Sequence, residues 1–447
     1  MKFKLEVSAT LLKLSKLLPN PLYIVGGYVR DNLLGFNSYD IDICGKDTPD
    51  IVFDCLKGTG FKVKTTSEKL MTLKIIGNGE EYEYTTFRKE SYQKGHSPQK
   101  VEPTDSIIED AKRRDFKVNA IYYDIASDKL CDPLDGLRDL EKKVLSTACD
   151  PQKVFGEDGL RLMRLARFSG ELGFTAEAET LNAAKEYASL IKDIAPERIR
   201  DELDKILVAD TCHNVEFGHI KAINLLDEID VLDIILPEIT LGKGMMQRAD
   251  FHKYDVFGHI IETVRFASPN IRLAALLHDV AKPYCFIKSG KYRGHDIEGE
   301  RIARDILTRL HYSNKIIAQV CRLVRLHMYD LKNEAKPNTL RLFIQENVDI
   351  LDYLIALKEA DFKGSGMNTD KAPSASRLKE VYNVMCKENV PFAIKDLQVR
   401  GEDLEGIPRE KRSMLLKTIL RESALLGSEL ISREQQLAYI QKRIREE

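Results

Sequence analysis

The sequence has no apolar run near the roughly 20 residues that a membrane-spanning helix needs, so no membrane partner is expected. Its eight cysteines are scattered, with no Cys-x-x-Cys pair, which argues against a disulfide framework and against a cysteine zinc site. An excess of one charge is missing too. The 68 Lys and Arg against 70 Asp and Glu leave a formal net charge of −2, so any RNA track must come from local basic clusters. The first 18 residues, MKFKLEVSATLLKLSKLL, lack the continuous apolar core and small-residue cleavage site of a signal peptide. These absences lead us to expect a cytoplasmic chain. With 447 residues, 31% charged and 43% hydrophobic, it reads as globular and long enough for two to four domains.

The densest chemistry lies between Leu22 and Asp42, in LYIVGGYVRDNLLGFNSYDID. A short apolar strand, Leu22 to Val25, runs into Gly26 and Gly27, and YVRDNLL follows at helical spacing with Gly35 as its stop. A second strand is expected to carry Asp40 and Asp42, whose two-residue spacing puts both carboxylates on one face. Backbone N–H groups where a helix opens suit a phosphate, and paired carboxylates suit Mg²⁺ bridging to phosphates. Either half alone is common in proteins, but together they point to metal-assisted chemistry on a nucleoside triphosphate.

Further along, TPDIVFDCLKG reads as a helix, and three strand-like runs follow, the last two joined by a tight turn at GNGE. Glu83, on the last run, is a candidate third carboxylate, although a surface glutamate is the plainer reading. Residues 89–107 are polar and contain Gly95, Pro98 and Pro103, which predicts a flexible, irregular loop. EDAKRRDFKVNAIYYD comes next.

Residues 156–174, GEDGLRLMRLARFSGELGF, predict an amphipathic helix. Asp158, Arg161, Arg164 and Arg167 fall at three-residue steps along a polar stripe, and three neighbouring arginines call for an anion such as a triphosphate between them. A solvated basic face is the bland alternative. The pair Asp158 and Arg161 has more specific chemistry. Cytosine and adenine both present an amino donor beside a ring-nitrogen acceptor, whereas uracil and guanine present a carbonyl beside a ring N–H. A carboxylate and a guanidinium therefore match C and A and mismatch U and G. Glu157, four residues before Arg161, can hold its plane.

These segments resemble the class II tRNA nucleotidyltransferases, the CCA-adding enzymes. GG-x-V-R-D followed by D-x-D resembles the family's head; RRDFKVNA at 113–120 resembles its RRDFxxNA motif; EDGLR at 157–161 resembles its EDxxR motif. The resemblance implies catalysis by Asp40 and Asp42 with Mg²⁺. Gly27, Arg30 and Arg114 would hold the triphosphate, and Asp158, Arg161, Arg164 and Arg167 would bind base and phosphates. Asp115, Asn119 and PERIRDELDKIL at 196–207 take structural roles, and the 89–107 loop serves the switch from adding C to adding A.

In the second half, His259, His278-Asp279, His327 and Asp361 resemble the HD phosphohydrolase superfamily, with His295 a later candidate and His252 a spare. Imidazoles and carboxylates in that order suit a second divalent metal that activates water; satisfied core histidines are the alternative. Residues 395–447 resemble the family's tRNA-contacting tail, except that IPREKR stands where the family often has GPK.

The expected architecture is α+β: an antiparallel-sheet head over 1–145, a helical base-reading neck over 146–209, a helical body with the HD residues over 210–365, and a tail over 366–447. The expected activity is template-independent addition of CCA to the tRNA 3′ end from CTP and ATP. A poly(A) polymerase or A-adding enzyme, an HD phosphohydrolase, and a non-catalytic RNA-binding protein are the competitors.

Overall fold

The computed structural model describes residues 3–92, 98–367, 372–405 and 407–446, in two compact units, Met1–Pro237 and Glu238–Glu447. Among the described residues no helix is long and apolar enough to cross a membrane.

The first unit opens with α1 (Ala9–Leu17), capped by the Ser8 hydroxyl, which accepts from the Leu11 N–H. The segments that follow are β1 (Tyr23–Val25), α2 (Gly27–Leu33), β2 (Asp42–Gly45), α3 (Pro49–Leu56), β3 (Lys62–Ser67), β4 (Thr72–Gly77) and β5 (Glu80–Thr86). Next come β6 (Arg88–Ser91), β7 (Lys100–Pro103), α4 (Ile107–Lys112), β8 (Tyr122–Asp124) and β9 (Lys129–Cys131). Seven strands form one sheet in the order β3-β4-β5-β2-β1-β8-β9, antiparallel except for the β2/β5 pair. Asn78 and Gly79, with φ of +49° and +82°, make the two-residue turn between β4 and β5 that GNGE predicts.

Two expectations need correction. Asp40 is not on the strand, since β2 begins at Asp42 and Asp40 sits two residues ahead of it, outside any regular element. Nor are the described residues of the polar stretch 89–107 all irregular: β6 and β7 pair antiparallel from Arg88↔Pro103 to Ser91↔Lys100. Its Pro residues fall where they cost no ladder bond in a two-stranded ribbon, and its Gly95 lies outside the described residues.

The rest of the first unit comprises α5 (Gly136–Lys142), β10 (Val144–Leu145), α6 (Pro151–Glu157), α7 (Leu160–Leu172), β11 (Thr175–Ala176), α8 (Ala178–Glu186), α9 (Pro196–Leu207), α10 (Ala209–Cys212), α11 (Gly218–Glu228) and α12 (Leu232–Ile235). The single helix expected over 156–174 is broken: α6 ends at Glu157, Asp158 is extended at φ −147° and ψ 106°, and α7 starts at Leu160. Phe116 of the head packs edge-on against Phe168 of α7 at 5.8 Å, and its complete burial contributes about 2 kcal/mol.

The second unit is helical. Its elements are α13 (Pro237–Thr240, its first residue in the preceding unit), α14 (Val256–Phe266), α15 (Arg272–Leu277), α16 (Lys282–Ser289), α17 (His295–Arg309), α18 (Asn314–Leu326), α19 (Pro337–Glu346), α20 (Leu351–Gly364), α21 (Pro373–Lys387), α22 (Arg409–Leu426) and α23 (Arg433–Glu446). Two apolar clusters hold its later part, one around Leu340, Leu378 and Met385, the other around Leu397, Ile419 and Ile440.

Candidate functional site

The head site is built on one row of the sheet. Asp42 is the register partner of Glu83 on one side and of Val25 on the other, and Val25 in turn faces Tyr122. Gly26 turns the chain out of β1 at φ +81°, and a Cβ on it would stand 3.4 Å from Asp42 Oδ2, so this carboxylate lies against the glycine turn. Asp42 keeps solvent access, yet the protein around it desolvates it. That desolvation and the charges of Asp40 and Glu83 drive its carboxyl up to about 6, against the pull of Arg114. Asp40 and Glu83 both act on Asp42 electrostatically, and carboxylate oxygens are the donor type that Mg²⁺ accepts, so the chemistry of these residues fits a divalent ion.

Arg114 stands beside this row. Its Nε donates to the Tyr122 hydroxyl at 3.1 Å, its Nη2 to Asp110 Oδ2 at 3.2 Å, and its guanidinium lies 5.3 Å from the Tyr122 ring centre. Asp110 is fully buried and also accepts from Arg113 Nε at 2.8 Å and the Tyr122 hydroxyl at 2.8 Å. It fixes both arginines of the RRDF segment. Sequence reasoning passed over it, although its spacing of three and four from Arg113 and Arg114 on α4 was visible. Arg30 lies inside the head instead of lining the row. It donates to Asp31 at 2.8 Å and to Asn119 at 2.6 Å, tying α2 to the 117–119 turn. Gly27 starts α2, with the Arg30 guanidinium 3.6 Å from where its Cβ would be.

The arginines of α7 each have a carboxylate of their own. Arg161 pairs with Glu157 at 3.2 Å, Arg164 with Asp115 at 2.5 Å, and Arg167 with Glu202 at 2.7 Å and Glu171 at 3.0 Å. The triphosphate expected to lie between them is therefore not what balances the row; the protein supplies the anions itself. Arg167 is an internal tie from α7 to α9, consistent with structural work for residues 196–207. Arg161 is buried, as expected of a residue held in one plane. Its Nη1 also donates to the Val154 carbonyl at 2.9 Å and its Nη2 to the Arg113 carbonyl at 2.8 Å. Of its five N–H donors, Nε and one on Nη2 have no partner among the described residues. Asp158 caps the start of α7 through the Leu160 N–H at 3.0 Å and meets Arg198 at 3.2 Å, a partner the sequence did not single out. Asp115 accepts from Phe116 N–H, Asn119 and Arg164. Burial works against its charge, but these partners, Arg164 foremost, override it and hold the carboxyl down at about 2. At the start of the hairpin ribbon, Glu90 joins Arg88 at 2.6 Å, Arg113 at 3.4 Å and the Tyr92 hydroxyl at 2.6 Å.

The second unit gathers His259, His278 and Asp361 into one group, and Asp279, His295 and His327 into another. Asp279 joins them: its Oδ2 lies 3.2 Å from both His259 and His278, its Oδ1 3.2 Å from His295 and 3.6 Å from His327. His278, His295 and His327 each pass Nδ1 to the carbonyl three residues earlier, at 2.6–2.7 Å, which fixes those tautomers and aims Nε2 inward. Asp279 Oδ2 is met by the Lys282 ammonium at 2.5 Å, whereas Asp279 Oδ1 and the Nε2 atoms of His295 and His327 are buried without a hydrogen-bond partner. Such orphaned atoms fit a metal better than a satisfied core. The Nε2 atoms of His259 and His278 are 3.2 Å apart, and two donors about 2.1 Å from one ion at that spacing subtend roughly 100°, a usual ligand angle. His295, a side candidate in the sequence, thus belongs to the cluster. His252 packs on His259 at 4.5 Å, and burial beside Lys282 pushes it down to about 3, so it stays neutral.

Residues 22–146 match the poly A polymerase head domain, 173–241 the probable RNA and SrmB-binding site of polymerase A, and 256–361 the HD domain. The A-adding tRNA nucleotidyltransferase of Deinococcus radiodurans is 32% identical over 308 residues, 65% of this chain and 67% of that protein. The chain belongs to the tRNA nucleotidyltransferase family. The CCA-adding enzyme of Ligilactobacillus salivarius is 41% identical over 187 residues, 42% of this chain and 45% of that protein, so the match to such curated relatives spans under half their length. Among solved structures, the Bacillus stearothermophilus CCA-adding enzyme in complex with CTP superposes with a TM-score of 0.66 at 22% identity, covering 97% of this chain and 96% of that one. The Thermotoga maritima CCA-adding enzyme complexed with tRNA gives 0.59 at 20% identity, covering 97% and 94%. These likenesses establish the nucleotidyltransferase fold, an antiparallel-rich head followed by helices.

Proposed function

We propose that the chain adds C, C and A to the 3′ end of tRNA from CTP and ATP, without a nucleic-acid template, and releases pyrophosphate. The observation that carries this reading is the Asp158–Arg161 edge, pre-set by Glu157 and by the Arg113 carbonyl of the same segment that presents Arg114 beside Asp42. A base offering an amino donor and a ring-nitrogen acceptor satisfies both side chains. U or G would leave buried polar groups mismatched, at about 1–3 kcal/mol each.

In this reading Asp40 and Asp42 hold Mg²⁺, with Glu83 in reach as a third oxygen donor. The ion, when bound, lowers the pKa of the attacking 3′-hydroxyl and neutralises charge on the leaving pyrophosphate. Arg114, its Nη1 without a protein partner among the described residues, receives the triphosphate. Arg30 and Gly27 keep the turn beside it in shape, Arg164 and Arg167 hold α7, and residues 366–447 grip the tRNA backbone by shape and charge. Residues 1–145 transfer, 146–209 read the base, and 210–365 carry the HD cluster.

The test is incorporation of each labelled nucleotide into tRNA ending before CC and after CC. CTP into the first and ATP into the second is the expected result. Use of ATP alone turns the reading to the A-adding activity named for the Deinococcus relative, and untemplated runs of A to a poly(A) polymerase. The orphaned atoms around Asp279 favour a second reading beside the first, a divalent-metal phosphoester hydrolase in the second unit. Opening of 2′,3′-cyclic phosphates to a monoester, or release of phosphate from 3′-terminal monoesters, abolished by Asp279→Asn, tests it.

A further inference from the structure

Lys358 is buried, 2% exposed, on α20 one turn before Asp361. Its ammonium donates to the carbonyls of His327 and Tyr329, each at 2.7 Å, and reaches Ser374 Oγ at 3.5 Å. Among the described residues no carboxylate lies within ion-pair distance of it. Lys282, on the other side of the cluster, differs in that it meets Asp279 at 2.5 Å. A leucine or methionine would fill the same space without the cost of burying an ammonium. What they lack is the ability to bind two carbonyls at once.

Those carbonyls matter because of where they are. α18 ends at Leu326 and His327 is its C-cap, so the His327 carbonyl belongs to a helix end with no intrahelical donor. The His327 ring is itself tied to that end through Nδ1 and the Val324 carbonyl, so its Nε2 goes where the main chain goes. Lys358 therefore links the main chain of His327 to the helix that carries Asp361. The histidines of the other group stand on α14 and at the end of α15, and the hydrogen bonds of Lys358 go to His327, Tyr329 and Ser374.

We propose that Lys358 is a positioning residue of the metal cluster: by clasping the end of α18 to α20 it sets His327 opposite Asp279 and His295, and so fixes the second of two divalent-ion positions. The proposal rests on the reading of these side chains as a metal site.

The probe is Mn²⁺, titrated into the full-length chain carrying Asp40→Asn and Asp42→Asn to silence the head, with bound ion counted by electron paramagnetic resonance. The parent is expected to take up two ions in this cluster. Lys358→Met is expected to keep one at parental affinity and to bind the second at least tenfold more weakly, as His327→Ala should. In Lys358→Ala, butylammonium is expected to restore the second ion and 1-butanol is not. Two ions at parental affinity in Lys358→Met, or equal rescue by the alcohol, overturns the role of Lys358. A parent that takes up no ion overturns the metal reading itself and the proposal with it. Where the variants do not fold, hydrogen exchange in the parent decides. The second ion should slow exchange over 323–331 and 354–361 together, and slowing confined to 323–331 overturns the proposal.

Discussion

Asp115→Asn should reveal how the RRDF segment and α7 are held together. Asp115 is 6% exposed and meets Arg164 at 2.5 Å, and its carboxyl titrates at about 2 in place of 3.8. The shift corresponds to about 2 kcal/mol of stability at pH 7. The sign follows from the direction of the shift. A carboxyl held down by folding stabilises the fold fully above its unfolded pKa, and that contribution is lost as pH falls through the folded value. The variant should thus be less stable than the parent by about 2 kcal/mol at pH 7 and by about half of that near pH 3. Arg164, 35% exposed on its side chain, is left partly solvated, so no large further penalty is expected from it. Urea unfolding followed by hydrogen exchange over 110–125 and 160–172 measures the difference where the tie lies. A loss under about 0.5 kcal/mol at pH 7, or a loss that does not shrink with acid, refutes the argument.

Asp40→Asn and Asp42→Asn should each lower nucleotide incorporation by about a thousandfold or more while tRNA binding persists, as loss of an ion-holding carboxylate requires; near-parental incorporation removes their role. Glu83→Gln should raise the Mg²⁺ concentration for half-maximal incorporation several-fold, and an unchanged Mg²⁺ dependence would return Glu83 to the status of a surface glutamate. The double variant Asp158→Asn, Arg161→Gln offers a donor opposite a carbonyl and an acceptor opposite a ring N–H. Incorporation of UTP and GTP relative to CTP and ATP should rise by about tenfold or more, and an unaltered ranking counts against the base-reading edge.

Motifs with a local physical cause were legible in the sequence: the glycine turn before α2, the Asn78–Gly79 hairpin, and the four-residue spacing that pairs Glu157 with Arg161. The HD residues could be grouped only by resemblance, because His259 and Asp361 are 102 positions apart and spacing says nothing about contacts across helices. His295 was left at the margin for the same reason. Two of the errors share one source. A polar stretch or a row of arginines was read by itself, and its partners came from elsewhere in the chain: β7 for β6, Asp115 for Arg164, Glu202 for Arg167. Composition cannot show such pairings, which tertiary packing creates.

The two clusters differ in whether the protein completes them, and that difference bears on how each can work. Around Arg161 nearly every charge is already answered by Glu157, the Val154 carbonyl or the Arg113 carbonyl. On the proposed reading, a nucleotide arriving there would not have to order the edge, so little of its binding free energy would be spent on arrangement, and the difference between C and U would be expressed almost in full. If the arginine row needed the triphosphate to neutralise it, any triphosphate would stabilise it equally, and discrimination between bases would suffer. Around Asp279 the opposite holds: Lys282 meets one carboxylate oxygen, but the other oxygen and two imidazole nitrogens are buried with no hydrogen-bond partner, and an added cation would complete them. A pre-satisfied edge suits selection among similar ligands, and an unsatisfied cluster suits tight capture of one ion.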